Sequence, residues 1–230
     1  MLLGFSTGCL YKTHNRLAPA TFDIFRQVGC NAIELMWHDF EQAAEFLRLQ
    51  KSDLARFEYV SVHAPILAEQ TAEEVAEIMR ILELKQAELN FKAVVVHPDG
   101  ITDWNVFTAR KIPWAIENMD WRKETCRSVE DLQRVFDQTD FQMVLDVNHC
   151  YTNDPSLQSV RDLEAAFSKR ICEVHLSGFE VLHEPIYQTQ QSEIIAAIPN
   201  KEIPIIIESG LASAEEVQKE FAYVRKLLNS

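Results

Sequence analysis

The sequence predicts an α/β chain folded as one closed (β/α)8 barrel, and three observations predict it. Apolar runs of β-forming residues alternate with amphipathic helical stretches along the whole chain. Six of the runs end in a side chain able to bind a metal: His63, His97, Glu117, Asp146, His175 and Glu208. The length, 230 residues, suits a barrel of this kind as one unit spanning 1–230, with no linker or boundary inside it. Strands that alternate with helices pair in parallel through right-handed crossovers. An open doubly wound sheet is the competing architecture. It usually carries a glycine-rich phosphate turn after the first strand, and Ser6-Thr7-Gly8-Cys9 is a poor match to one.

Taken in order, Leu2 to Ser6 reads as the first strand, followed by a helix from Pro19 to Gly29. Ala32 to Met36 is the second strand, followed by an amphipathic segment from Asp39 to Leu49. The third strand ends at His63. Thr71-Ala72-Glu73-Glu74 then has the form of a capping box, in which a hydroxyl and a carboxylate satisfy free amides at a helix start. Val75, Ile78, Met79, Leu82 and Leu89 share one face of that helix. Strands four and five end at His97 and Glu117, and Ser128-Val129-Glu130-Asp131 opens the next helix. Strand six ends at Asp146, with a helix expected from Pro155 or Ser156. Strands seven and eight end at His175 and Glu208. Ser213-Ala214-Glu215-Glu216 is a second capping box, opening a last helix whose apolar stripe is Val217, Phe221, Val224 and Leu228. From Glu34 onward the strand-end residues advance by 29, 34, 20, 29, 29 and 33 positions. The step of 20 predicts a shortened unit between strands four and five.

Charge narrows the partners. Lys and Arg number 22 against 35 Asp and Glu, a net of −13. Proteins that bind polyanions concentrate Lys and Arg on one face, and no basic run here exceeds two residues. A small-molecule substrate is expected, and nucleic acid is disfavoured. No apolar run reaches 18 residues and no signal peptide is recognisable, so a cytoplasmic protein without a membrane span is expected. The five cysteines are scattered, with no C-x-x-C pair, which argues against a disulfide framework and a zinc ribbon.

In a barrel the strand C-termini converge on one face, so these distant residues meet there. Clustered carboxylates repel and raise one another's pKa unless a cation offsets them. Mixed imidazole and carboxylate ligation suits zinc, manganese, iron or cobalt and disfavours calcium. Trp37, Trp104, Trp114, Trp121 and Tyr187 are candidates for an apolar wall against a sugar ring. Lys12 and Arg122 are candidates to receive a phosphate. Glu34 is read as a substrate contact or a structural ion pair, and Asn118 as a group orienting a ligand or donating to substrate. No ligand role is expected for His14 or His38.

The ordered motifs Val62-His63-Ala64-Pro65, Val96-His97-Pro98, Ile116-Glu117-Asn118, Leu145-Asp146-x-x-His149, Val174-His175-Leu176 and Ile207-Glu208-Ser209 cover nearly the whole chain. Together they resemble the superfamily of xylose-isomerase-like and endonuclease IV (AP endonuclease family 2) TIM barrels. The resemblance implies that Glu117, Asp146, His175 and Glu208 match the four metal ligands shared by the sugar isomerase and epimerase branch. There, two glutamates, here Glu117 and Glu208, carry a proton between opposite faces of the substrate. It further implies that His63 and His97, with Glu117 bridging, match an additional metal of the endonuclease branch. His149 and His183 match two ligands of a third metal, or orient other ligands. The aspartate expected two residues before His183 is Val181 here. One to three divalent ions are thus expected, zinc, manganese or cobalt, with a sugar or sugar derivative as substrate. The leading expectation is a metal-dependent isomerase or epimerase. The alternatives are a phosphodiesterase acting on abasic DNA and a barrel that binds metal or ligand without catalysis.

Overall fold

The computed structural model describes residues 1–108 and 111–229. Eight parallel strands close on themselves in sequence order. They are β1 (Leu3–Ser6), β2 (Ala32–Met36), β3 (Tyr59–His63), β4 (Ala93–Val96), β5 (Trp114–Glu117), β6 (Gln142–Asp146), β7 (Ile171–Leu176) and β8 (Ile205–Ile207). The chain is a TIM barrel, as its alternating pattern predicts.

Strand alternation divides the side chains into two layers. One layer faces outward into a large core with the helices, where Phe5, Phe22, Phe25, Ile33, Leu35 and Phe46 are fully buried. The other faces the barrel axis. Ala32, Tyr59 and Ile206 pack as one apolar group there, and Ala93, Val95, Ala115 and Val144 as another. Two residues further along these strands come Glu34, Ser61, His97, Glu117, Asp146 and Glu208. An apolar plug fills the lower barrel, and the titratable groups sit directly above it. Gly4 permits the closing of this interior on β1, since a Cβ there would lie 1.7 Å from the Ala32 carbonyl oxygen.

Helix starts follow the local chemistry. The first helix, α1 (Pro19–Gln27), stops short of Gly29, whose φ of +92° turns the chain into β2. The segment after β2 forms a short 3₁₀ turn and then α2 (Ala43–Arg48). Thr71 and Glu74 form the reciprocal capping box of α3 (Ala72–Leu89). Between β4 and β5 the described residues form one helical turn, α4 (Asn105–Thr108), as the short spacing predicts. Ser128 Oγ caps α5 (Val129–Phe136) through the Asp131 amide.

One expectation is corrected. The chain does not wait for Pro155 after β6. It enters α6 (Val147–Asn153) at once, because the Asp146 carboxylate caps it through the His149 amide at 2.8 Å. Helix α7 (Gln158–Phe167) follows. A second feature is absent from any periodicity: the β6–β7 register shifts so that Met143 pairs Ile171 but Val144 pairs Glu173, leaving Cys172 as an extra residue. Two short helices, α8 (Ile186–Thr189) and α9 (Ser192–Ala196), complete the β7–β8 connection. At the last helix, α10 (Ala214–Leu228), only half the expected box forms: Ser213 Oγ accepts from the Glu216 amide, while Glu216 reaches back to the amide of Ala212.

Candidate metal centre

Seven strand ends deliver side chains to one pocket. Glu117, Asp146 and His63 are the last residues of their strands, His97 and Glu208 lie one residue beyond theirs, His175 is next to last, and Glu34 lies two before the end of β2. Ligand atoms of Glu117, Asp146, His175 and Glu208 all lie within 4.8 Å of one another, and so do those of His63, His97 and Glu117. Glu117 belongs to both groups. Its Oε1 accepts from His175 Nδ1 at 2.9 Å, while Oε2 lies 3.1 Å from His97 Nε2 and 3.6 Å from His63 Nε2. Glu208 Oε2 is 3.5 Å from the same His175 Nδ1.

The donor set fits a dication. Glu117 Oε2 and Asp146 Oδ2 are buried polar atoms with no hydrogen-bond partner among the described residues, oxygens that would cost free energy if left unpaired. Asp146 is held firmly in place. Its Oδ1 caps α6, and its backbone is gripped on both sides by Asn118, whose Nδ2 donates to the Asp146 carbonyl and whose Oδ1 accepts from the Asp146 amide. Asn118 thus braces a neighbour, one of the two roles expected of it.

Charges in the pocket separate the three carboxylates. Burial pushes the Glu117 carboxyl up, but His175, His63 and His97 outweigh it and hold the group well below its ordinary range. Burial raises Asp146, with Glu117 adding to the rise against His149. Glu208 is pushed up to about 8 by burial, reinforced by Glu34, Glu117 and Asp146 and opposed by His175. His175 loses basicity to burial, yet Glu208, Glu34 and Glu117 carry it well above the usual imidazole range. His63 is raised to about 9 by its acidic neighbours, Glu117 and Glu34, against the pull of burial. His97 is lowered, chiefly by burial and then by nearby His63.

His175 has a second face that the sequence reading did not use. Its Nε2 lies 2.8 Å from Glu173 Oε1 and 3.2 Å from Glu34 Oε2, both fully buried. Two carboxylates on Nε2 keep the proton there and leave Nδ1 turned to Glu117 and Glu208. Alternation held the signal for Glu173: two residues before His175, it shares the inward face.

The remaining imidazoles are placed beside this cluster. His149 Nδ1 is bound to the Asn118 carbonyl at 2.8 Å, and its Nε2 lies 3.6 Å from Asp146 Oδ2 and 3.8 Å from Asp120 Oδ2. His183 Nδ1 is held by Ser177 Oγ at 2.9 Å, and burial, helped by His149, lowers it to about 4. The rings of His149 and His183 are 5.7 Å apart, but no acid gathers with them within the 4.8 Å that unites the other groups among the described residues. Val181 offers nothing, being 71% exposed. Asp120, which sequence reasoning missed, stands beside His149 just beyond Asp146 and is engaged by the Arg122 guanidinium.

Two adjoining cavities open above the cluster. One, about 440 Å³, is lined by His63, His97, Glu117, His149, His183 and Glu208 together with Met36, Ile66, Met119 and Arg122. The other, about 600 Å³, runs toward the β1 loop past Tyr11, Lys12 and Arg16. His38 borders both. The expected aromatic wall is corrected. Trp37 stacks on Phe46, and Trp104 and Trp114 pack with Phe107 and Phe141 in the outer layer, where inward and outward faces cannot be told apart from composition. Trp121 and Tyr187 line neither cavity.

No protein-family model and no curated protein sequence matches the chain. Solved structures do resemble it. Endonuclease IV from Thermus thermophilus superposes with a TM-score of 0.70 at 16% identity, over 100% of this chain and 99% of that one. A xylose isomerase domain-containing protein from Salmonella typhimurium gives 0.65 at 16% identity, covering 100% and 97%. D-allulose 3-epimerase from Methylomonas sp. gives 0.65 at 13% identity, covering 99% and 98%. The shared feature is the barrel, the fold of the xylose-isomerase-like and endonuclease IV structures.

Proposed function

We propose that the protein is a metal-dependent enzyme of the sugar isomerase and epimerase type, moving a proton on a small polyhydroxy carbonyl compound. One observation carries this reading: Glu117, Asp146, His175 and Glu208 converge within 4.8 Å below a cavity of about 440 Å³, a size suited to a small molecule. The sugar epimerase with the same barrel supports it.

These four residues would hold the ion, with zinc, manganese or cobalt suited to their chemistry. A bound dication supplies charge that offsets the carboxylates and polarises a substrate carbonyl. Without the ion, Glu117 is held ionised by its imidazole neighbours, whereas Glu208 is pushed up to about 8. A cation would displace that proton, leaving both carboxylates able to take one from substrate and return it. Glu34 and Glu173 hold the His175 ring in place. Met36, Ala64 and Met119 give the cavity an apolar part of its lining.

A second reading, a phosphodiesterase, is favoured by the His63–His97–Glu117 group, which would hold another cation. Such enzymes use clustered metals on both attacking and leaving oxygens. The net charge of −13 and Val181 in place of the expected aspartate weigh against DNA as substrate.

The test is proton exchange in D2O. Manganese- or cobalt-loaded protein, incubated with ketopentoses and ketohexoses, is expected to lose the substrate C–H signal and to form the epimer or aldose, with chelator abolishing both. Cleavage of an abasic oligonucleotide without sugar exchange would overturn the reading in favour of the second.

A further inference from the structure

The two cavities differ in how their cations are engaged. At the first, Arg122 is bound to Asp120 and Lys123 lies 2.6 Å from Asp99. At the second, neither Lys12 nor Arg16 forms an ion pair or hydrogen bond with an acid among the described residues. Both instead lie over the same ring, 5.5 Å and 5.4 Å from the centre of Tyr11. Arg16 is half-buried, and its Nε is enclosed without a hydrogen-bond partner among the described residues. Asp39 is the acid that Arg16 feels most strongly, without pairing to it. The two acids lining this cavity are otherwise occupied. Glu184 accepts from the amides of Glu180, Val181 and Leu182, and Glu208 belongs to the proposed metal centre. In a chain of net charge −13, two cations left open in a cavity stand out.

We propose that Lys12 and Arg16 form an anion subsite that receives a terminal phosphate or carboxylate of the substrate, whose carbonyl end lies at Glu208. The cavity of about 600 Å³ meets the first at Met36, His38, His183 and Glu208, so one extended molecule spans both. Guanidinium and ammonium groups bind oxyanions by charge-assisted hydrogen bonds, and the Arg16 Nε supplies a donor that nothing else uses. This rests on the proposed metal centre only for the position of the carbonyl. It narrows the substrate class to an acidic polyhydroxy carbonyl compound. It also separates two residues that look alike in the sequence: Lys12 is open to a ligand, and Arg122 is not.

Calorimetric titration of the metal-free chain with inorganic phosphate, and separately with malonate, tests the subsite without the metal. Binding of at least one anion is expected, and Lys12→Gln/Arg16→Gln should weaken it about tenfold, the size of a lost charge-assisted bond. Arg122→Gln should leave it within about twofold. Tighter phosphate points to a phosphorylated substrate, tighter malonate to an acid, and both support the subsite. Binding of neither anion, or loss in Arg122→Gln but not in the double variant, overturns it. All three side chains are at least partly exposed, and equal melting temperatures would show that each variant is folded. A chain that binds anion but no metal would sink the metal centre and leave the subsite standing.

Discussion

The Nε2 atoms of His63 and His97 lie 3.2 Å apart, with Glu117 Oε2 3.1 Å from the second of them. Two ring nitrogens bound to one tetrahedral zinc at ~2.0–2.1 Å are separated by about 3.3 Å. The pair therefore has the spacing of two ligands, and it shares an oxygen with the four-residue group beside it.

The first prediction concerns that pair. The wild-type chain should bind two equivalents of zinc, and His63→Ala/His97→Ala should bind one, read by elemental analysis after gel filtration. Retention of both equivalents in the double variant would assign His63 and His97 to substrate contact instead.

A second concerns proton transfer. Glu208→Gln keeps the shape of the side chain and one oxygen able to bind metal, but it can neither take up nor release the proton. Exchange into D2O should fall about 10²–10⁴-fold, the usual contribution of a general acid or base. Unchanged exchange would remove Glu208 from the chemistry.

Protonation sets the third. In the metal-free chain His63 holds its proton up to about pH 9 and Glu208 up to about pH 8. A cation must displace these protons, so falling pH opposes binding and rising pH favours it. Apparent zinc affinity, measured by chelator competition, should climb from pH 6 to 8, with protons released on binding. Affinity independent of pH over that range would contradict the assigned ligands.

Support for His175 gives the fourth. Glu173→Gln leaves the ligands intact but removes the carboxylate facing Nε2, a group that burial raises and His175 pulls back down. Metal affinity should drop about 10–100-fold with little change in melting temperature, as for other residues that orient a ligand. A variant that binds metal as tightly as wild type would make Glu173 dispensable.

Glu220 supplies a stability prediction. Fully buried on α10, it accepts from the amides of Ile186 and Tyr187, each at 2.9 Å, and from Ser209 Oγ at 2.5 Å. Glu220→Ala strands two buried donors and a half-buried one and should cost about 2–3 kcal/mol, lowering the melting temperature by roughly 5–10 °C. An unchanged melting temperature would mean that water replaces the carboxylate at no cost.

Much of this is legible in the chain because strands repeat every two residues and a barrel turns that repeat into convergence. The positions of His63, His97, Glu117, Asp146 and Glu208 follow from it directly, and that of His175 only with the bulge at Cys172. What escapes such a reading has other causes. Asp146 reads as a ligand, yet its carboxylate also starts α6, and a single side chain gives no sign of two tasks. Asp120 and Arg122 lie in an irregular loop with no period to interpret. Trp37, Trp104 and Trp114 resist placement because apolar bulk fits either layer of a barrel equally well.

The extra residue at Cys172 reaches further than local geometry. Were β7 to run straight from the Met143–Ile171 pair, Asp146 would oppose Val174, and His175 would swing out among the helices. Which face the seventh strand offers at that level is therefore decided by a bulge in its main chain. A relative or design that keeps every motif residue, Cys172 included, but pairs β7 without the bulge would turn that imidazole away from the other strand ends.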